Sequence, residues 1–179
     1  MKDTIYINLF GGPGVGKSTL CASIFTELKK QNIDCEMALE YVKELVFEES
    51  FKKIENQIYI FGKQHNRLMR LNGKVDVVIT DSPLLNSIVY YLGDNPYFKD
   101  LILYEFQKLN TINYCIKRRF NYEENGRMQT LDKAIEVDVD YKKLLDENEI
   151  PYNEIDGDFS IVNIINDIKN KYNYEKSNI

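Results

Sequence analysis

A glycine-rich stretch near the start of the chain has the residue types and the spacing that bind phosphate. Residues 11–19 read Gly11-Gly12-Pro13-Gly14-Val15-Gly16-Lys17-Ser18-Thr19 and fit the pattern G-x-x-x-x-G-K-[ST]. In this pattern backbone N–H groups converge on anionic oxygens, and the start of the following helix adds a partial positive charge. We expect Lys17 to reach the outer phosphates of a nucleoside triphosphate and the Ser18 hydroxyl to ligate Mg²⁺. The stretch therefore predicts a phosphate-binding loop (P-loop) for a nucleoside triphosphate with Mg²⁺.

The residues on either side supply the structural context that this loop needs. The apolar run from Ile5 to Phe10 predicts a buried strand before it. After it, Leu20, Ile24 and Leu28 recur at helical spacing. This order of strand, loop and helix favours phosphate binding over a glycine-rich turn that binds nothing.

Composition limits the classes of protein that remain. With 179 residues, the chain is long enough for one domain with a full hydrophobic core. Its net charge of −5 argues against a protein whose main task is to hold nucleic acid, because that task needs a basic face. The basic cluster Lys117-Arg118-Arg119 is too short to form such a face.

Nothing in the sequence points to a membrane or to an oxidising compartment. No stretch approaches the ~20 apolar residues that span a bilayer, and no signal peptide is visible at the start. Cys21, Cys35 and Cys115 lack metal-binding spacing and are interpreted as reduced core thiols. We expect a cytoplasmic protein of a bacterium or a phage-infected cell, and the sequence leaves a homodimer open.

Apolar runs alternate with helical patterns along the chain, which predicts a parallel sheet with helices on both faces. The expected strands are about Thr4–Phe10, Asp34–Leu39, Val75–Thr80, Thr111–Ile116 and Pro151–Ile155. Helices are expected after the P-loop, from near Tyr41, and over Asn56–Leu71, Leu84–Leu92, Tyr97–Leu109, Thr130–Asn148 and Ser160–Lys171. The charge run in the helix Thr130–Asn148 is interpreted as a solvated face. We expect a single domain over residues 1–172, a polar lid over about 117–129 and a frayed tail over 173–179.

Polar residues follow the predicted strands at the points where ligands of such sheets bind. In doubly wound sheets this point is the carboxyl end of the strands. The residues that the rule selects are Glu40, Asp81, Arg118, Arg119 and the turn Asp156-Gly157-Asp158.

Three classes of nucleotide-binding protein compete for this pattern. A GTPase would carry D-x-x-G and N-K-x-D motifs, which do not occur at the expected places. An ATPase of the AAA or transporter type would carry Asp-Glu at the end of its Walker B strand, and that Glu polarises the attacking water. Here Asp81 is followed by Ser82-Pro83, so that base is missing. A small-molecule kinase needs no such Glu, because it excludes water by closing a lid.

Several motifs join the P-loop in one recognisable set. They are Glu40-Tyr41-Val42-Lys43, Ile79-Thr80-Asp81-Ser82-Pro83, the lid arginines Arg118, Arg119 and Arg127, and Ile155-Asp156-Gly157-Asp158. The set resembles the small P-loop kinases of the nucleoside and nucleotide kinase superfamily. Within it, the chain is similar to the AAA-labelled family that includes the ribosylnicotinamide kinase domain of NadR-type proteins. The resemblance implies an α/β three-layer sandwich whose five parallel strands lie in the order 2-3-1-4-5.

Two carboxylates are expected to work beside the P-loop. Asp81 could hold Mg²⁺ together with Ser18, accept a proton from the acceptor hydroxyl, or cap the next helix. Glu40 stands where the resemblance implies an acid that binds or deprotonates the acceptor hydroxyl; the alternative is an exposed glutamate at a helix start.

The acceptor is expected to bind along the helix Asn56–Leu71. Gln57, Phe61 and Gln64 fall on one stripe, where a ring and two amides suit a nucleobase. A core phenylalanine with solvated glutamine neighbours remains the alternative. Arg67, three residues before Arg70, could clamp an acceptor phosphate, or the pair could be a solvated helix end.

Arginines are expected to complete the site from the lid. At least one of Arg118, Arg119 and Arg127 should act on the transferring phosphoryl group. By analogy with related kinases, Asp156 and Gly157 should form part of the loop on the adenine side.

The sequence thus predicts an ATP- and Mg²⁺-dependent kinase for a small nucleoside- or nucleotide-like acceptor. Nucleoside, monophosphate and nicotinamide riboside all remain open as acceptors. An alternative is a P-loop ATPase whose nucleotide-dependent conformation regulates a partner. A polynucleotide kinase is less expected, because the chain is acidic and lacks a basic channel.

Overall fold

The secondary structure alternates between short strands and helices. A computed structural model describes residues 3–118, 130–156 and 161–177. The strands are β1 (Ile5–Phe10), β2 (Cys35–Met37), β3 (Val77–Thr80), β4 (Asn110–Ile116) and β5 (Asn153–Ile155). The helices are α1 (Lys17–Lys30), α2 (Val42–Phe47), α3 (Phe51–Ile54), α4 (Gln57–Met69), α5 (Asn86–Val89), α6 (Pro96–Gln107), α7 (Leu131–Glu147) and α8 (Ile161–Ser177). None of the helices within these ranges is long and apolar enough to cross a membrane.

All five strands form one parallel sheet. Their order is β2-β3-β1-β4-β5, which confirms the predicted order 2-3-1-4-5 and the predicted α/β class. Strand β1 lies in the centre, where Ile5 faces Val77 of β3 on one side and Asn110 of β4 on the other. Because β1 is paired on both edges, the loop that follows it leaves from the middle of the sheet.

The two faces of β1 contribute side chains to two separate hydrophobic layers. Ile5, Ile7 and Leu9 pack in one cluster with buried residues of α1 and α8. Tyr6 and Phe10 pack in the other cluster, with residues of α4, α6 and α7. This alternation follows from the two-residue period of a strand and makes the three-layer sandwich.

One polar pair lies inside the sheet without leaving a donor unpaired. Asn8 of β1 donates from Nδ2 to Oδ1 of Asn113 on β4 at 2.9 Å, and the two residues are register partners. Asn113 in turn donates to the Pro151 carbonyl at 3.0 Å. Buried amides satisfied in this way specify the pairing of β1 with β4.

Three predicted helices differ from the observed ones. The helix expected from near Tyr41 is divided into α2 and α3, because Glu49 takes a positive φ of 55° that interrupts the helix. Only Asn86–Val89 is helical within the expected helix Leu84–Leu92. Helix α8 runs to Ser177, beyond its expected end at Lys171 and into the expected frayed tail.

Candidate functional site

The P-loop connects β1 to α1 and adopts the conformation that its glycines allow. Gly14 and Gly16 have φ angles of 84° and 92°, which residues with a side chain rarely adopt. Gly16 is the N-cap of α1, so the N–H groups that follow it point out of the helix start. Val15, 8% exposed, anchors the loop in the first hydrophobic cluster.

Lys17 folds back on its own loop. Its Nζ donates to the carbonyl oxygens of Gly11 at 2.6 Å and Gly12 at 2.9 Å. Burial lowers the pKa of the Lys17 ammonium below its usual value, while the nearby carboxylates of Glu40, Asp81 and Asp138 oppose that shift. The ammonium therefore lies at the loop among carboxylates, and burial limits its contact with water.

Asp81 joins the P-loop to the segment after β2. It follows β3 directly and is 5% exposed. Its Oδ2 accepts from the Ser18 hydroxyl at 2.6 Å, and its Oδ1 accepts from the backbone N–H of Glu40 at 3.0 Å. Both predicted metal-binding side chains are thus brought together, and the backbone of Glu40 is held beside them.

The Glu40 side chain lies in the same group of charges. Burial raises the pKa of its carboxyl above the usual range; the positive charge of Lys17 opposes the shift, and the negative charge of Asp81 adds to it. A carboxylate with a raised pKa binds a proton more readily.

The oxygens of Ser18 and Asp81 fit Mg²⁺ by their chemistry. Magnesium prefers oxygen ligands and is usually held by one or two protein side chains together with substrate phosphates and water. Within the part of the chain that the structure describes, no group of three or more His, Cys, Asp or Glu residues is placed to hold a metal ion. Ser18 and Asp81 supply two side-chain oxygens of this kind, joined by a hydrogen bond of 2.6 Å.

Gln64 faces the segment that follows Glu40. Its Oε1 accepts from the backbone N–H of Tyr41 at 3.1 Å, which fixes the orientation of the amide. The residue is 3% exposed, and its Nε2 finds no hydrogen-bond partner among the described residues. A buried amide donor without a partner is costly, which makes it a candidate contact for a ligand.

The other residues predicted on α4 are occupied by the protein itself. Phe61 is 7% exposed and packs its ring edge-on against Phe98, with ring centroids 5.7 Å apart. Gln57 donates to the carbonyl of Ile54 at 3.1 Å. These contacts favour the alternative of a core phenylalanine for Phe61 and give Gln57 a partner within the protein.

Arg67 supports the segment between β2 and α2. It pairs with Glu44 at 2.6 Å, donates to the Leu39 carbonyl at 3.2 Å and lies over the Tyr41 ring at 5.0 Å from the centroid. Arg70 is exposed. Arg67 therefore contacts the residue that precedes Glu40, and its guanidinium already has protein partners.

Arg118 lies against the P-loop. It donates from Nη1 to the Pro13 carbonyl at 2.7 Å and from Nε to Asp138 of α7 at 2.7 Å. Asp138 also accepts from the backbone N–H of Gly12 at 2.5 Å. Arg118, one of the three arginines predicted in the lid, therefore contacts the backbone of the P-loop.

The contacts of Asp138 with the P-loop and Arg118 were not predicted from the sequence, because the charged residues of α7 were interpreted as a solvated face. The signal was its position: Ala134, Tyr141 and Leu145 are buried, and Asp138 falls on the same stripe at helical spacing. An acidic residue on a buried stripe indicates a specific partner. Tyr141, hydrogen-bonded to Tyr90 and electrostatically coupled to Glu40, was also missed.

Some predicted site residues lie at the edge of the structure or outside it. Arg119, Arg127 and Gly157 fall outside the described residues, as do positions 119–129 of the predicted lid. Asp156 is exposed and lies 3.5 Å from the ammonium of Lys117. Thr19 is exposed on α1 and lines a cavity together with Ser23 and Ile161.

Replacing Gly12 with alanine should destabilise the fold by about 1–3 kcal/mol, because the added methyl group overpacks a tight contact. A Cβ at this position would lie 2.4 Å from the carbonyl oxygen of Ala134 on α7. Gly62→Ala is the matched control. A Cβ there meets none of the described atoms within 4 Å, so in mid-helix it should stabilise by about 0.5–1 kcal/mol. Urea unfolding of both variants measures the difference, and equal stabilities would contradict the close approach of α7.

Comparison with known proteins agrees with this architecture. A family model described as an AAA domain matches residues 6–160. No match to this chain was found among curated proteins.

Two solved structures share the fold. A NadR protein in complex with NR superposes with a TM-score of 0.71 at 18% identity, over 95% of this chain and 52% of that one. This chain therefore spans about half the length of that NadR chain. A deoxyadenosine kinase from M. mycoides with bound dATP superposes with a TM-score of 0.52 at 17% identity, over 94% of this chain and 99% of that one. At these identities the likeness establishes a shared fold.

Proposed function

This chain belongs to the AAA domain family, and from that premise and the geometry of the site we propose that it is an ATP- and Mg²⁺-dependent kinase of a small nucleoside- or nucleotide-like acceptor. The observation that carries the proposal is the position of Asp81 between Ser18 and Glu40. On this proposal Ser18 and Asp81 form a metal-binding pair at the phosphate-binding loop, beside Glu40 as the proton-accepting carboxyl group.

The residues of the loop bind and orient the triphosphate. The N–H groups from Gly14 to Lys17 contact the β- and γ-phosphates, and Lys17 exchanges its two backbone carbonyl partners for phosphate oxygens. Ser18 and Asp81 would hold Mg²⁺, which would neutralise charge on the phosphate oxygens.

Glu40 is the residue proposed to take the proton. Both oxygens of Asp81 already accept hydrogen bonds, whereas burial raises the pKa of Glu40 and so the affinity of its carboxylate for a proton. The acceptor hydroxyl oxygen forms a bond to the γ-phosphorus, the bond from that phosphorus to the β,γ-bridging oxygen breaks, and ADP leaves. The hydroxyl proton passes to the Glu40 carboxylate.

A phosphoryl-transfer assay tests this function. The chain is incubated with ATP, Mg²⁺ and a panel of nucleosides, nucleoside monophosphates and nicotinamide riboside, and products are read by mass spectrometry. One new phosphorylated product supports the kinase and names its acceptor class. ADP formed at the same rate with or without the panel contradicts it and supports the alternative of a regulatory ATPase.

Gln64 should contribute to binding of the acceptor. We expect Gln64→Leu to raise the KM for the acceptor at least about tenfold, because the unpaired Nε2 donor would be lost. Stability should change little, since the variant loses the bond to Tyr41 but also removes a costly buried donor. Gln107→Leu, at an exposed position of α6, is the matched control. An unchanged KM in Gln64→Leu would place the acceptor elsewhere.

A further inference from the structure

Helix α7 holds the start of the P-loop through one carboxylate. Asp138 Oδ1 accepts from the Gly12 N–H at 2.5 Å, and its Oδ2 accepts from Arg118 Nε at 2.7 Å. The same guanidinium donates from Nη1 to the carbonyl of Pro13 at 2.7 Å. Asp138 and Arg118 thus contact two neighbouring residues of the loop and close a ring of hydrogen bonds with them.

The residues of this ring of hydrogen bonds are closely packed against α7. Arg118 also donates from Nη2 to the carbonyl of Ala134 at 3.2 Å, one turn before Asp138 on α7. A Cβ on Gly12 would lie 2.4 Å from that carbonyl oxygen. The side chains of Arg118 and Asp138 are 11% and 20% exposed, so water screens their ion pair weakly.

The ring also fixes which way the peptide groups of the loop point. The carbonyls of Gly11 and Gly12 face the ammonium of Lys17, and the next carbonyl, that of Pro13, faces Arg118. A loop that binds an anion must turn its carbonyl oxygens away from it, because they would repel it. The guanidinium of Arg118, on the side of α7, stabilises that orientation of the Pro13 carbonyl.

We propose that Asp138 is a positioning residue of the P-loop: together with Arg118 it holds the loop backbone in the orientation that binds nucleotide phosphates. Its carboxylate touches the loop and the guanidinium, and it acts on the nucleotide through them. The inference rests on the proposed binding of nucleotide at this loop and is independent of the acceptor.

Hydrogen exchange in the ligand-free protein tests the proposal directly. Asp138→Asn replaces one of the two accepting oxygens with an NH2 donor, so the Gly12 N–H and the Arg118 Nε–H can no longer both be accepted and the ring opens. We expect the Gly12 amide to exchange at least about tenfold faster than in the parent chain, since it loses a charged acceptor. Asp140→Asn makes the same charge change at an exposed position of α7 and should leave the exchange rate unaltered. Equal rates in the two variants would overturn the proposal.

Nucleotide affinity provides a readout that a purely structural role would not move. The Kd for ADP should rise at least about tenfold in Asp138→Asn, while the acceptor KM stays unchanged. A Kd within twofold of that of Asp140→Asn would overturn the proposal. Asp138 and Arg118 act as one unit. The double variant, Asp138→Asn with Arg118→Gln, should therefore raise the Kd for ADP by less than the product of the two single fold-changes.

A second variant keeps the test decisive if Asp138→Asn loosens the whole sheet. Arg118→Lys retains the positive charge beside Asp138 but loses the fork that also reaches the Pro13 carbonyl. Faster exchange confined to the loop supports the proposal, and unchanged exchange overturns it. A chain that binds ADP but phosphorylates no acceptor would contradict the proposed kinase and not this role of Asp138.

Discussion

Lys17→Ala is expected to lower the rate of phosphoryl transfer by at least about 10²–10³-fold, because the variant lacks the cation that neutralises charge on the outer phosphates. The effect should fall on kcat and on ATP affinity together, since the ammonium contacts the phosphates in both the ground state and the transition state. The fold should persist. Lys17 makes its hydrogen bonds within the P-loop, to the carbonyls of Gly11 and Gly12, and burial of its charge already opposes the folded state.

Steady-state kinetics and thermal unfolding together check this result. Lys30→Ala is the matched control, because Lys30 lies on the same helix and pairs with Glu27 in solvent, 2.7 Å away. Its kcat should equal that of the parent chain. Near-normal turnover in Lys17→Ala would disprove the assignment of the P-loop, whereas a collapse of Tm would show that Lys17 is needed for folding.

Glu40→Gln is expected to lower kcat by about 10²–10⁴-fold, which is the usual contribution of a positioned proton acceptor. The amide cannot take the proton of the acceptor hydroxyl, but it occupies the same space. The bond from the backbone N–H of residue 40 to Asp81 is retained, so the metal-binding pair keeps its geometry. ATP affinity should therefore change little.

The stability of Glu40→Gln separates a functional carboxylate from a structural one. Burial disfavours the ionised form of Glu40 in the folded protein and raises its pKa, so a neutral amide should be tolerated at neutral pH. We expect the Tm to stay the same or to rise while activity is lost, as at sites that trade stability for function. Glu48→Gln, at an exposed position after α2, is the matched control. A full kcat in Glu40→Gln would transfer the proton-accepting role to another residue.

Some contacts of the site could not have been predicted from local sequence. Arg118 is one of three arginines of which at least one was expected to act from the lid, and in the structure it contacts Pro13 and Asp138. For Phe61 the sequence left open a base-stacking ring or a core residue, and in the structure its ring packs against Phe98 of α6. Each outcome depends on which helix packs against which loop, and residue spacing within one segment carries no such information.

The sequence by itself determined the P-loop, the five strands and their parallel arrangement, because these follow from patterns of neighbouring residues. Glycines at fixed positions allow the positive φ angles of the loop, and continuous apolar runs specify strands that are buried on both faces. The tertiary structure alone decided the contacts between distant segments. It placed Asp138 on Gly12, 126 residues away, and buried the amide of Gln64 beside Tyr41 with a donor that no other described residue accepts from. Such contacts arise only when helices dock on the sheet, since the position of each side chain then depends on the packing of the whole layer.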